Sequence, residues 1–175
     1  MVPFVEIGWV PKCEIGQRPA VNASPLIFLS RADMLDMLKM EGERIVVPKT
    51  VADELKRRGP GDPTVQAIEK TSWLEVLETP PVPAIIQAWD LGEGESSVLA
   101  WGHVNPGTVI IVDDLPARRC AAALRIPVRG TLGLILTAKK RGVIPKARPI
   151  VEKLRQSGMY LSDRILSQAL ALVDE

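Results

Sequence analysis

The stretch Thr108-Val109-Ile110-Ile111-Val112 holds four β-branched apolar residues in a row and runs directly into Asp113-Asp114. An apolar run without polar alternation, preceded by the turn signal Asn105-Pro106-Gly107, reads as a strand buried on both faces. Such strands belong to parallel sheets covered by helices on each side, so this run confines the chain to α/β architecture. The two acids mark its carboxyl end, the edge at which open parallel sheets bind ligands.

The remainder of the chain repeats that grammar. A first strand is expected over residues 20–22, entering a helix through Ser24-Pro25, with Ser24 as cap and proline at the first helical position. A helical run over 33–40 precedes the β-branched strand Arg44-Ile45-Val46-Val47-Pro48, which proline closes. Helices are expected over 49–58 and 64–70, separated by Gly59-Pro60-Gly61-Asp62-Pro63, and an edge strand over 73–76. After the proline-rich loop at 79–83 come a helix over 92–101, the buried strand, and helices over 116–124, 132–140, 149–157 and 163–173, with a short strand at 127–129. These elements predict a three-layer α/β/α sandwich around a mostly parallel sheet of four or five strands.

Bulk properties bound the functional classes. The 175 residues suit one domain, since single cores stop growing only near about 250 residues. Residues 1–18, with Pro3, Pro11 and Gly16, show no regular period and read as an irregular extension, leaving 19–175 as the domain. A net charge of +1 excludes a whole-molecule field strong enough for nonspecific nucleic-acid binding, so any such contact must be local. Cys13 and Cys120 form neither a metal-ligand spacing nor a disulfide framework. No apolar stretch reaches the roughly 18 residues of a membrane span, and the start lacks a basic segment followed by an apolar core. The expectation is a cytoplasmic protein without membrane contact.

The candidate chemistry lies where strands end. Asn22 and Asp113-Asp114 follow strands, Glu54 sits one helical turn beyond the second strand, and Glu93 opens a helix in Leu91-Gly92-Glu93-Gly94-Glu95. If these ends converge they form a pocket of hard oxygen donors, the kind that suits Mg²⁺ or Mn²⁺. A bound divalent ion relieves repulsion among such carboxylates and supplies the means to hydrolyse a phosphodiester. In the metal-free protein at least one of these carboxylates is expected to have a raised pKa.

The segments Asn22-Ala-Ser24-Pro-Leu-Ile, Val51-Ala-Asp-Glu54-Leu, Leu91-Gly-Glu93-Gly-Glu95 and Val112-Asp113-Asp114-Leu-Pro-Ala-Arg118, in this order and spacing, resemble the PIN domain. With Gly130-Thr131-Leu132-Gly133 and the basic helix after it, the chain resembles more narrowly the prokaryotic PIN-like group related to VapC-type toxin ribonucleases. The resemblance covers about residues 20–175. It implies a Mg²⁺- or Mn²⁺-dependent endoribonuclease, an RNA substrate, a small antitoxin as partner and a homodimer. By position it assigns catalytic and metal-holding roles to Asn22, Glu54, Glu93 and Asp113 or Asp114, with Glu95 in reserve, and substrate contacts to Ser24 and Arg118. Asn22 departs from the pattern, because catalytic members carry aspartate there; an amide oxygen can ligate a metal but brings no charge.

Each of these residues also has a purely structural reading. Glu54 and Glu95 would be ordinary on a solvated helix face, Glu93 would suit a helix N-terminus, Asp114 would cap the next helix, and Asn22 would satisfy backbone groups at its turn. Trp73, Trp89 and Trp101 are expected to pack, and His103 to lie in a solvated loop. The absence of a charge at Asn22 keeps open a second function: a catalytically weak or inactive PIN-like module that binds RNA or protein. In the nuclease reading, Glu54, Glu93 and one of Asp113 and Asp114 should meet Asn22 in one cleft.

Overall fold

The computed structural model describes residues 18–175; residues 1–17, including Cys13 and nearly all of the expected extension, lie outside the described part. Five strands form one sheet in the order β3-β2-β1-β4-β5, and every pairing is parallel. They are β1 (Ala20–Val21), β2 (Ile45–Pro48), β3 (Leu74–Leu77), β4 (Ile110–Ile111) and β5 (Val128–Arg129). The expected mostly parallel sheet is therefore wholly parallel, and residues 73–76 supply an edge strand shifted by one residue.

The strands β1, β2 and β4 are completely buried, as their unbroken apolar composition requires. In register, Ala20 lies between Val46 and Ile110, and Val21 opposite Ile111. Strand order reverses at β1, with β2 on one side and β4 on the other, so the carboxyl ends of β1 and β4 flank the crevice where open α/β sheets bind ligands.

Helices flank the sheet. Helix α1 (Ala23–Arg31) leaves β1, and α2 (Lys49–Lys56) leaves β2 directly through Pro48, whose fixed φ ends the strand. α3 (Pro63–Lys70) starts at Asp62, which accepts the Thr64 amide at 2.8 Å with proline in the first turn. After the proline-rich loop, α4 (Ala84–Gln87) and α5 (Glu93–Val104) lead to β4. α5 packs across β1, β2 and β4 and also meets α2 and α6. The remaining helices are α6 (Leu115–Ala123), α7 (Thr131–Lys140), α8 (Arg148–Gln156) and α9 (Asp163–Ala171). Among the described residues, no helix is long and apolar enough to cross a membrane.

Several local expectations are corrected. Asn22, not Ser24, is the N-cap of α1, which places Pro25 at the third helical position instead of the first. The run over 33–40 folds as a 3₁₀ helix, Leu35–Met40, after Asp33 adopts a left-handed backbone with φ of 57°. Residues 84–87, assigned to no element from sequence, form α4. His103 lies in the last turn of α5, exposed but not in a loop. Trp73 and Trp101 are partly buried; Trp101 donates its indole N–H to the Arg18 carbonyl at 2.9 Å. Trp89 remains 37% exposed just after α4, against the expectation that it packs.

Candidate functional site at the carboxyl edge of the sheet

Asn22 stands at the end of β1 with 1% of its surface exposed. Its backbone N–H continues the ladder to the Ile111 carbonyl at 2.9 Å, which fixes the residue against β4. Its side-chain amide donates to Glu95 Oε1 at 2.8 Å. That bond sets the orientation of the group, since the reverse orientation would oppose two acceptors. Oδ1 is left fully buried without a hydrogen-bond partner, the only such side-chain atom among the described residues. A buried acceptor without a partner costs about 1–3 kcal/mol, so its persistence at a ligand edge asks for an explanation.

The space before Oδ1 is kept open by Gly94. A methyl group there would lie 3.0 Å from Asn22 Oδ1, 3.1 Å from Glu54 Oε2 and 3.3 Å from a Val51 methyl. Gly94 is buried in the first turn of α5, so the absence of a side chain is what lets β1, α2 and α5 approach each other here. The same two helices are tied by hydroxyls: Thr50 Oγ1 donates to Ser97 Oγ at 2.9 Å, and Ser97 donates to the Glu93 carbonyl at 2.8 Å. Glu95 thus meets Asn22 directly, and Glu54 comes to the same Gly94 position from a helix held in fixed relation to α5.

Asp113 follows β4 on the other side of the crevice, half-buried. Its Oδ1 accepts the Thr131 amide at 2.7 Å and its Oδ2 the Thr131 hydroxyl at 2.6 Å. The Arg118 guanidinium packs against Gly130, and a methyl group on Gly130 would collide with it and lie 3.2 Å from Asp113 Oδ1. Burial pushes the Asp113 carboxyl above its ordinary value, opposed by the Thr131 hydrogen bonds and the Arg118 charge. One carboxyl of the set is therefore raised as expected, but by loss of water and not by repulsion from neighbouring acids.

The meeting of Glu54, Glu93 and an aspartate around Asn22 is realised differently. Glu54 and Glu95 border Asn22, whereas Glu93 is exposed at the first position of α5. Asp114 is exposed and caps α6, its Oδ2 accepting the Ala117 amide at 2.9 Å. Ser24 is half-buried in the first turn of α1. Among the described residues, no group of three or more His, Cys, Asp or Glu side chains is arranged to hold a metal ion. The Asn22 amide oxygen and Glu54 Oε2, both hard oxygens, stand around the position that a Cβ at Gly94 would fill, while Glu95 meets the amide nitrogen of Asn22 and turns Oε2 towards Gly92.

Two participants escaped the sequence reading: Thr131, which holds Asp113, and Gly94, which opens the cradle. The signal for Thr131 was a hydroxyl residue just after a short strand, a position suited to meet an acid from the neighbouring strand end.

A family model described as a PIN domain matches residues 19–175, nearly the whole described chain. No curated protein and no solved structure gave a match. With the parallel five-stranded sheet and the reversal of strand order at β1, this match makes the chain a member of the PIN-domain family, a fold of nuclease type.

Proposed function

We propose that this protein is a Mg²⁺- or Mn²⁺-dependent endoribonuclease of PIN type and the toxin component of a type II toxin–antitoxin pair, working in the cytoplasm. The observation that carries the reading is the buried, unpartnered Asn22 Oδ1, which shares the Gly94 position with Glu54 Oε2 at the crevice of a PIN fold. An unpartnered acceptor beside a carboxylate suits a hard cation and repels an anion.

Asn22, Glu54 and Glu95 would hold the ion, with Asp113 facing it across the crevice. Bound there, a divalent cation supplies Lewis acidity and charge neutralisation for hydrolysis of a phosphodiester. Thr131 keeps Asp113 in one orientation. Arg118, seated on Gly130, offers a cation for an RNA phosphate, which contributes affinity but no choice of sequence. Glu93, Asp114 and Ser24 would meet substrate or metal from the neighbouring helix starts. A small antitoxin protein and a second copy of the chain complete the proposed set of partners.

The second reading is a PIN-like module that binds RNA or protein and cuts weakly or not at all. It is favoured by the neutral Asn22 and by the lack of a three-acid cluster among the described residues. Purified protein incubated with RNA in Mn²⁺, Mg²⁺ or EDTA separates the two. The nuclease reading expects cleavage with metal, none with EDTA, and loss in Glu54→Ala and Asp113→Ala. RNA retention without cleavage under every condition selects the binding module. Growth arrest on expression, relieved by a small protein from a neighbouring gene, tests the toxin assignment.

A further inference from the structure

We infer that the exposed face of α8, with the far ends of α1 and α7 beside it, holds the phosphate backbone of RNA at a distance from the crevice. This rests on RNA as the ligand, which both readings above share, and adds a second contact surface for it. Residues 139–164 contain eight lysines and arginines against two acids, whereas the whole chain holds 22 against 21. A net charge of +1 requires any nucleic-acid contact to be local, and this segment is where the positive charge collects. α1 leaves the crevice at Ala23 and α7 at Thr131, so their other ends lie roughly 13 and 15 Å away at about 1.5 Å per residue. Those ends carry Arg31 and Lys139-Lys140, and α8 packs against both helices. The Arg31 guanidinium donates to the Ser157 carbonyl at 3.3 Å, and Glu175 joins Lys139 to the Ala147 amide, so each end of α8 is tied to one of the far ends.

Helix dipoles do not account for this charge. A cation in the last turn suits the dipole, which explains Arg31, Lys139 and Arg155. Lys146 and Arg148 stand instead at the start of α8, where the dipole opposes them and the first turn holds no acid. Arg155 is paired with Asp163 at 3.1 Å and Arg148 reaches the Glu175 carbonyl at 3.3 Å. The ammonium groups of Lys140, Lys146 and Lys153 are exposed and have no hydrogen bond or ion pair among the described residues. Beside Lys153 a groove of about 580 Å³ opens between the ends of α1 and α8, lined by Arg31, Ala32, Asp33, Lys153, Gln156 and Ser157. Two cations, an amide and a hydroxyl against one carboxylate suit a phosphate and its sugar. Unpaired lysines fit a nucleic-acid backbone better than a protein surface, since protein interfaces are depleted in lysine.

The test is fluorescence anisotropy of a labelled single-stranded RNA with the full chain in EDTA, which prevents metal-dependent cleavage, over a series of KCl concentrations. Lys140→Gln/Lys146→Gln/Lys153→Gln is expected to weaken binding at least tenfold at low salt and to reduce the slope of log affinity against log salt by about 2. The corresponding triple arginine variant is expected to keep both. Wild-type binding that the glutamine variant leaves unchanged overturns the inference and leaves RNA at the crevice intact. Lost affinity with an unchanged slope, or an equal loss in the arginine variant, overturns it as well, because the lysines then act through the fold and not through charge. Poly-glutamate held through these lysines, with RNA affinity unaffected by their removal, gives the face to an acidic protein and overturns it. No RNA binding by the wild type in EDTA overturns the inference, while cleavage in Mn²⁺ still decides the nuclease reading separately.

Discussion

Asp113 and Thr131, on adjacent strand-to-helix connections, form a two-point contact in which the backbone N–H meets Oδ1 at 2.7 Å and the hydroxyl meets Oδ2 at 2.6 Å. The contact freezes the carboxylate plane and ties β4 to the start of α7. A hydrogen bond to a charged group contributes about 1.5–3 kcal/mol, so Thr131→Val should destabilise the fold by roughly that amount. Thr131→Ser should keep most of it. Urea unfolding of the two variants measures the difference, and equal stability of both would show that the hydroxyl contributes nothing.

The raised pKa of Asp113 sets the sign of a pH effect. Its native carboxyl holds a proton more firmly than the unfolded chain does, so stability falls as pH rises from the ordinary carboxylate value through the raised native one. Deprotonation also precedes ligation, so Mn²⁺ affinity should increase with pH across the same window. Urea midpoints and Mn²⁺ titrations between about pH 4 and pH 7 read both effects, and Asp113→Asn should flatten the stability profile.

Asn22→Asp changes charge with little change of size. In the metal-free protein the new carboxylate faces Glu95 Oε1 where an amide N–H now donates at 2.8 Å, so the melting temperature should drop. With Mn²⁺ present, affinity should increase by roughly tenfold or more, and RNA cleavage should rise. Level or reduced cleavage alongside tighter metal would mean that the native asparagine is already suited to the reaction.

Away from the site, Arg129 in β5 and Glu41 after the 3₁₀ helix form an ion pair at 3.0 Å with 6% and 3% of their side-chain surface exposed. Arg129 also reaches Thr137 Oγ1 in α7 at 3.4 Å. Removing one partner strands the other charge in the interior, so Glu41→Ala should cost about 3–5 kcal/mol. Replacing both residues by apolar ones of similar volume should cost much less. Chemical denaturation of the single and double variants checks this.

The sequence by itself determined the sheet and most of its helices, because β-branched runs such as 45–47 and 108–112 can be buried only as strands covered on both faces. It also determined that Asp113 stands at a strand end, since it directly follows such a run. Only the tertiary structure decided which glutamate meets Asn22. Glu93 and Glu95 are two residues apart on one helix, about 200° around its axis, and nothing local states which side of α5 turns towards β1. The contact across the sheet selects Glu95. Which acid Thr131 holds is set in the same way, by a partner 18 residues away in sequence. Ser24 yielded the cap position to Asn22 because pairing with β4 extends β1 to that residue's amide and starts the helix immediately after it. Strand identity follows from local composition, whereas the phase of a helix and the partner of a polar side chain are set by packing between distant segments.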